Sequence, residues 1–318
     1  MKQLNEQTEN KATIGEDFNT ITLAQSDVAS PPPMVEEPPV AKEPSLAKEP
    51  SCPTCAGETG SMPMSYVYAL GRVEPRFPRL ALEKEFAQAT GRTETTGLTN
   101  REVLNKVLSL RQHRYLARQL TYVLTIEGLD TYILQPRDPA DIDYLVEAIR
   151  PVPHLTDVDV VIGIRGPIAP PELSNGLMVP IVAFSQMYSF DVDSLIGSIP
   201  HPKGTAEKEF KATAEEVFMR IMQLADNAGA TDEHRVLNYC ACRYPALYTM
   251  TCEYHLRNFS LNGVEVRPSR LSGTRKVLDV IISYTSRQTD VTEKCFCRVD
   301  VTEEFPFLVT KMSPYYDR

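Results

Sequence analysis

Cys52-Pro-Thr-Cys55 is the short motif in this chain whose spacing most plainly suggests chemistry. Two thiolates so spaced can fold around one tetrahedral zinc ion as a knuckle, which makes Cys52 and Cys55 the candidate metal ligands. The sequence has no second C-x-x-C, so the rest of a structural zinc shell must come from elsewhere in the fold or from another chain. A redox dithiol and an unliganded thiol pair are the competing readings, and no βαβ pattern surrounds the motif to favour redox chemistry.

The other thiols read differently. Cys240 and Cys242 fall on a predicted helix, where two residues amount to about 200° of rotation and point to opposite faces. Cys295 and Cys297 share one face of a predicted strand with Val299 and Val301, the pattern of buried cysteine acting as a small hydrophobe. The histidines show no metal-ligand spacing, and His113 and His234 stand beside arginines on predicted helices, where a solvated or capping role is expected. Ser272-Gly-Thr274 lacks the Asp and His boxes of a serine protease. No G-x-G-x-x-G, P-loop or kinase set is present.

Arginine-bearing, proline-rich turns offer binding chemistry instead. They are Arg72 to Arg79, Gln135-Pro-Arg137-Asp-Pro139, Arg165 to Glu172, and Arg267-Pro-Ser-Arg270 with Arg275 beyond it. Guanidinium groups on fixed loops can clamp peptide carboxylates, so Arg267, Arg270 and Arg275 are the candidate peptide-binding residues. The alternative is that each pairs with a carboxylate of its own domain and only sets a turn.

These residues need a frame. Tyr66 to Leu70 predicts a short strand, and Arg79 to Thr90 a helix ended by Gly91. Thr99-Asn-Arg-Glu102 is a capping box ahead of Val103, Leu104, Val107 and Leu108. Residues 121–134 predict a hairpin turning at Gly128, and Asp138-Pro139 opens a helix that Pro151 ends. Strands follow over Val158 to Ile164 and Met178 to Phe184. A long helix over Thr205 to Asn227 has Phe210, Ala214, Val217, Phe218, Ile221, Leu224 and Ala225 on one face. Thr231 caps the next helix, which breaks near Pro245. Residues 263–311 read as an antiparallel meander, with Leu278, Val280, Ile282 and Tyr284 on one face. The fold class is α+β, with antiparallel sheets packed against amphipathic helices.

Residues 1–60 stand apart, with net charge −6 and eight of the 25 prolines, against −3 for the remaining 258 residues. Such a stretch buries too little to offset chain entropy and is expected to be a disordered Pro/Glu-rich tail before a domain over 61–318. The total charge of −9 opposes broad nucleic-acid binding. No apolar run is long enough for a membrane span and no apolar export signal opens the chain, so a cytoplasmic protein with reduced thiols is expected.

Four segments resemble the C-terminal domain of cyanobactin maturation proteins of the patellamide type. They are Tyr68-Ala-Leu-Gly-Arg-Val-Glu-Pro-Arg-Phe-Pro78, Leu134-Gln-Pro-Arg-Asp-Pro-Ala-Asp-Ile142, Arg267-Pro-Ser-Arg-Leu-Ser-Gly-Thr-Arg275 and Asp300-Val-Thr-Glu-Glu-Phe-Pro-Phe307. The likeness spans about residues 64–318. It implies work on a ribosomally made peptide beside other maturation enzymes, and it carries over no catalytic residue, because that domain has no assigned function. The protease domain of the large family members has no counterpart here. Three readings follow: an accessory protein that binds the precursor peptide or a partner enzyme, a peptide-modifying enzyme with a loop-assembled site, and a zinc-linked structural or oligomerisation module.

Overall fold

The computed structural model describes residues 65–91, 96–200, 202, 205–223 and 226–316. Cys52, Cys55, His201, Leu224, Ala225 and the expected tail lie outside them.

Five strands close into a small barrel in the order β1-β2-β3-β5-β4. They are β1 (Ser65–Arg76), β2 (Thr121–Ile126), β3 (Leu129–Pro136), β4 (Asp157–Ile168) and β5 (Pro180–Asp191). The predicted hairpin is β2–β3, with Glu127 at φ 51° and Gly128 at φ 80°, the left-handed pair that a two-residue primed turn requires. All neighbours are antiparallel except β3 and β5, which run parallel with Ile133 opposite Ile181.

Three strands run further than the sequence suggests, β5 continuing past Phe184 to Asp191. β1 continues past Leu70 into the Arg72 to Arg79 segment expected to be a turn, because it changes partner there: residues 65–71 pair with β4 and 72–76 with β2. Pro75 therefore sits where only one side of the strand is paired, and its missing N–H breaks no ladder. β4 likewise runs on to Ile168, through part of the segment expected to be a polar turn.

Helices α1 (Leu80–Gly91), α2 (Asn100–Ser109), α3 (Arg114–Ala117) and α4 (Ile142–Ala148) pack on the barrel. The capping box forms as expected, Glu102 N–H donating to Thr99 Oγ1 and Thr99 N–H to the Glu102 carboxylate. One apolar cluster joins Val107, Leu108, Leu145 and Ile149 of this group to Val67, Ala69 and Val161 of β1 and β4. His113, expected in a solvated or capping role, is buried and bonds the Val107 carbonyl in the last turn of α2 through Nδ1, a capping contact.

The opposite faces of β1 and β4, with Tyr68, Leu70, Val160 and Ile162, belong to a second cluster. It contains α5 (Val192–Gly197), α6 (Glu207–Met222), α7 (Asp232–Arg243), α8 (Ala246–Leu256) and the inner face of a second sheet. That sheet is the expected meander, β6 (Phe259–Pro268), β7 (Val277–Ser286), β8 (Thr292–Asp300) and β9 (Phe307–Pro314) in sequential order. Leu278, Val280, Ile282, Tyr284, Cys295, Cys297, Val299 and Val301 all lie in its core, as their alternation implies. Helix α6 stops at Met222, short of the expected Asn227. No helix among the described residues is long and apolar enough to cross a membrane.

Candidate functional site

The three arginines singled out in the sequence do not form a free cluster. Arg267 on β6 grips the carboxylate of Glu265, two residues away on the same face. Arg275 pairs with the buried Asp300 at 2.6 Å and lies 5.1 Å over the Phe307 ring. Arg270 is exposed on the same β6–β7 connection. Among the described residues no group of three or more His, Cys, Asp or Glu side chains is placed to hold a metal ion. Helix geometry separates Cys240 from Cys242: Cys240 sits in the core beside Cys297, and Cys242 faces Tyr68. Burial pushes the Cys242 thiol up to about 12, so it is protonated at neutral pH.

A different set of arginines converges on the barrel. Arg111, Arg114 and Arg118 lie on one helical stretch formed by a 3₁₀ turn (Arg111–His113) and α3. Spacings of three and four residues put them on one face. With Ala140, Ile142 and Asp143 they line a hollow of about 310 Å³. Arg118 also borders an adjoining cavity of about 480 Å³, rimmed by Arg79, Gln135 and Glu172 and floored by Leu120, Tyr122 and Leu134. Asp143 neutralises Arg114. Arg79, Arg111 and Arg118 make no ion pair with a described carboxylate. Like charges at this spacing repel unless an anion is present, so an open, acidic-ligand site is the arrangement they suit. The signal was in the sequence: Arg-Gln-His-Arg-Tyr-Leu-Ala-Arg118 carries the helical period in charge, where the eye follows apolar residues.

Residues 204–315 match the family model described as PatG C-terminal. A solved structure described as "PatG Domain of Unknown Function" has the same fold, with a TM-score of 0.62 at 18% identity, covering 79% of this chain and 98% of that one. The chain carries a PatG C-terminal-like domain. No curated protein matches it.

The matched span begins at the approach to α6 and ends just beyond β9, so the cleft lies outside it, on the barrel. Within this PatG C-terminal-like half a buried arginine that sequence reasoning passed over joins α7 to the turn between β8 and β9. Arg235 of α7 is 1% exposed. Its guanidinium donates to the carbonyls of Val301 at 2.9 Å, of Glu303 and of Glu304, all in the β8–β9 turn. Asp232 supplies countercharge, and burial pulls the Arg235 pKa downward. Around that turn the resembling segments meet. Arg137 from the end of β3 pairs with Glu304 at 3.4 Å, Arg275 with Asp300, and the Lys276 N–H donates to Thr302 Oγ1 at 2.8 Å. These motif residues therefore act as a structural knot around the β8–β9 turn.

Proposed function

We propose that this protein is an accessory component of cyanobactin-like peptide maturation, and that it binds the precursor peptide without catalysing a step itself. The PatG likeness supports the pathway. The observation that carries the binding role is the cleft, where unpaired guanidinium groups stand over an apolar floor in a chain whose net charge is −9. Basic residues concentrated in one concave place, against an acidic background, select acidic segments and steer them there. Work on a ribosomally made peptide belongs in the cytoplasm, where the buried thiols stay reduced.

Titration of the purified protein with the precursor encoded beside its gene, followed by intact-mass measurement of the peptide, tests this reading. Saturable binding with unchanged peptide mass is expected. A mass change makes the protein an enzyme. Absence of binding, with co-elution of a maturation enzyme instead, makes that enzyme the partner and overturns the reading.

A further inference from the structure

We propose that the cleft reads a two-point pattern in the bound peptide, a carboxylate and an apolar side chain two residues apart. The inference rests on the precursor-binding reading and specifies what that site recognises. The hollow beside Arg111, Arg114 and Arg118 takes the carboxylate, because Arg114 is already held by Asp143 and the other two guanidinium groups are not ion-paired. The adjoining cavity takes the apolar side chain against Leu120, Tyr122 and Leu134. Tyr122 and Leu134 are buried parts of the barrel core, so that floor is preformed.

Arg118 lines both cavities, which sets the spacing. Both anchors therefore lie beside one residue. Side chains on one face of an extended peptide recur every second residue, about 7 Å apart, so acid-x-apolar fits the pair of cavities.

Charge selects the ligand class. The two cavities together hold four arginines and two carboxylates, Asp143 and Glu172. A balance of +2 suits one or two peptide carboxylates. A polyphosphate would bring more negative charge than the cleft neutralises.

The test uses the full chain and a fluorescein-labelled peptide repeating Glu-Ser-Leu-Ser, read by anisotropy. Changing every Glu to Gln, or every Leu to Ser, is expected to weaken binding about tenfold, the size of one charge-assisted contact or one buried side chain. Arg118→Gln is expected to lose about tenfold and to flatten the salt dependence. Arg118 and Arg111 are exposed, so both Arg118→Gln and Arg111→Gln should keep the wild-type melting curve, which separates lost binding from lost folding. Unchanged affinity in both variants overturns the proposal. So does equal binding of the Leu-to-Ser peptide with displacement by tripolyphosphate, which makes the cleft a phosphate site. If the whole precursor binds wild type and Arg118→Gln equally, this inference falls while the precursor-binding function stands. If the repeat peptide binds by the expected pattern and the precursor does not bind, the function falls and the site stands.

Discussion

The Asn238 side-chain amide donates a 2.7 Å hydrogen bond to the main-chain carbonyl of Tyr68, 170 residues earlier in the chain. This joins α7 to the half of β1 that β2 does not cover. Asn227 shares reciprocal amide bonds with Asn238 at 2.8 and 3.1 Å, and the Tyr68 N–H donates to the Gly229 carbonyl at 2.9 Å. The loop after α6 thus stands in for a missing strand neighbour.

Gly229 is fixed by that role. Its φ is +70° and an added Cβ would lie 2.2 Å from the Tyr68 oxygen. Gly229→Ala is expected to cost about 3 kcal/mol or more, combining left-handed strain with displacement of backbone. Asn238→Ala should cost a similar amount, about 2–3 kcal/mol, by leaving the Tyr68 carbonyl and the Asn227 side-chain oxygen unpaired. Urea denaturation measures both, and a loss below about 1 kcal/mol in either would show that the loop does not hold the strand.

The two meander cysteines should respond unequally to valine. Cys297 packs against Cys240 in the core, and Cys297→Val is expected to cost under about 1.5 kcal/mol as a near volume-conserving change. Cys295 is bonded through its sulfur to the buried Tyr254 hydroxyl at 3.2 Å. Cys295→Val removes that bond and should cost about 1 kcal/mol more. Equal melting temperatures for the two variants would remove the Tyr254 bond from the account.

Stability should decline as the solution is acidified below about pH 6.5, the titration point of histidine in an unfolded chain. Burial holds both His234 and His255 below that value in the folded protein. Between the unfolded and the folded pKa the unfolded state binds more protons, so each histidine's contribution is present above the unfolded pKa and is lost as the pH falls toward the folded one. Glu216 and Glu209 near His255, and Glu233 and Asp226 near His234, limit the depression. Denaturation midpoints for wild type and His255→Gln across this range check it; parallel slopes would exclude His255 as a source.

Much of this architecture was legible because local signals agreed with it. The Thr99–Glu102 box, the Gly128 turn and the alternating rows from Leu278 to Val301 each name their own neighbours. Illegible parts depend on partners distant in sequence. Nothing local to Pro75 says that β1 has lost one neighbour there, and nothing near Ser185 shows that β5 runs to Asp191 past a register shift opposite Ile162 and Gly163. Helices α5 and α8 were unread, the first being very short and the second following a proline that looked like an end. Arg235 reads as a surface charge and is buried only because three carbonyls from 66–69 residues later surround it.

Replacing Arg267 and Arg270 together by Ala should leave precursor affinity within about twofold, since Arg267 is occupied by Glu265 and a surface pair of this kind contributes little. Isothermal titration at low and high salt decides between the two arginine groups. A loss there as large as that of Arg118→Gln would move the peptide site to the meander.

Zinc at the Cys-Pro-Thr-Cys pair is checked by metal analysis of the whole protein. If the wild type holds zinc there, the Cys52→Ser, Cys55→Ser double variant is expected to lose it. Unchanged stoichiometry would assign the ion to other ligands.

The exchange of partners along β1 also governs assembly in time. Ser65 must wait for Arg165, and Tyr68 waits for Gly229, before the first strand has its full complement of bonds. At about 5–20 residues per second on the ribosome, β1 emerges many seconds before those residues do. Contacts of such sequence separation make closure slow, and an early apolar strand without neighbours is exposed to mispairing meanwhile. Newly made chains should therefore depend on chaperones until the α6–α7 loop has been synthesised, and the finished barrel should refold from denaturant more slowly than the locally wired meander.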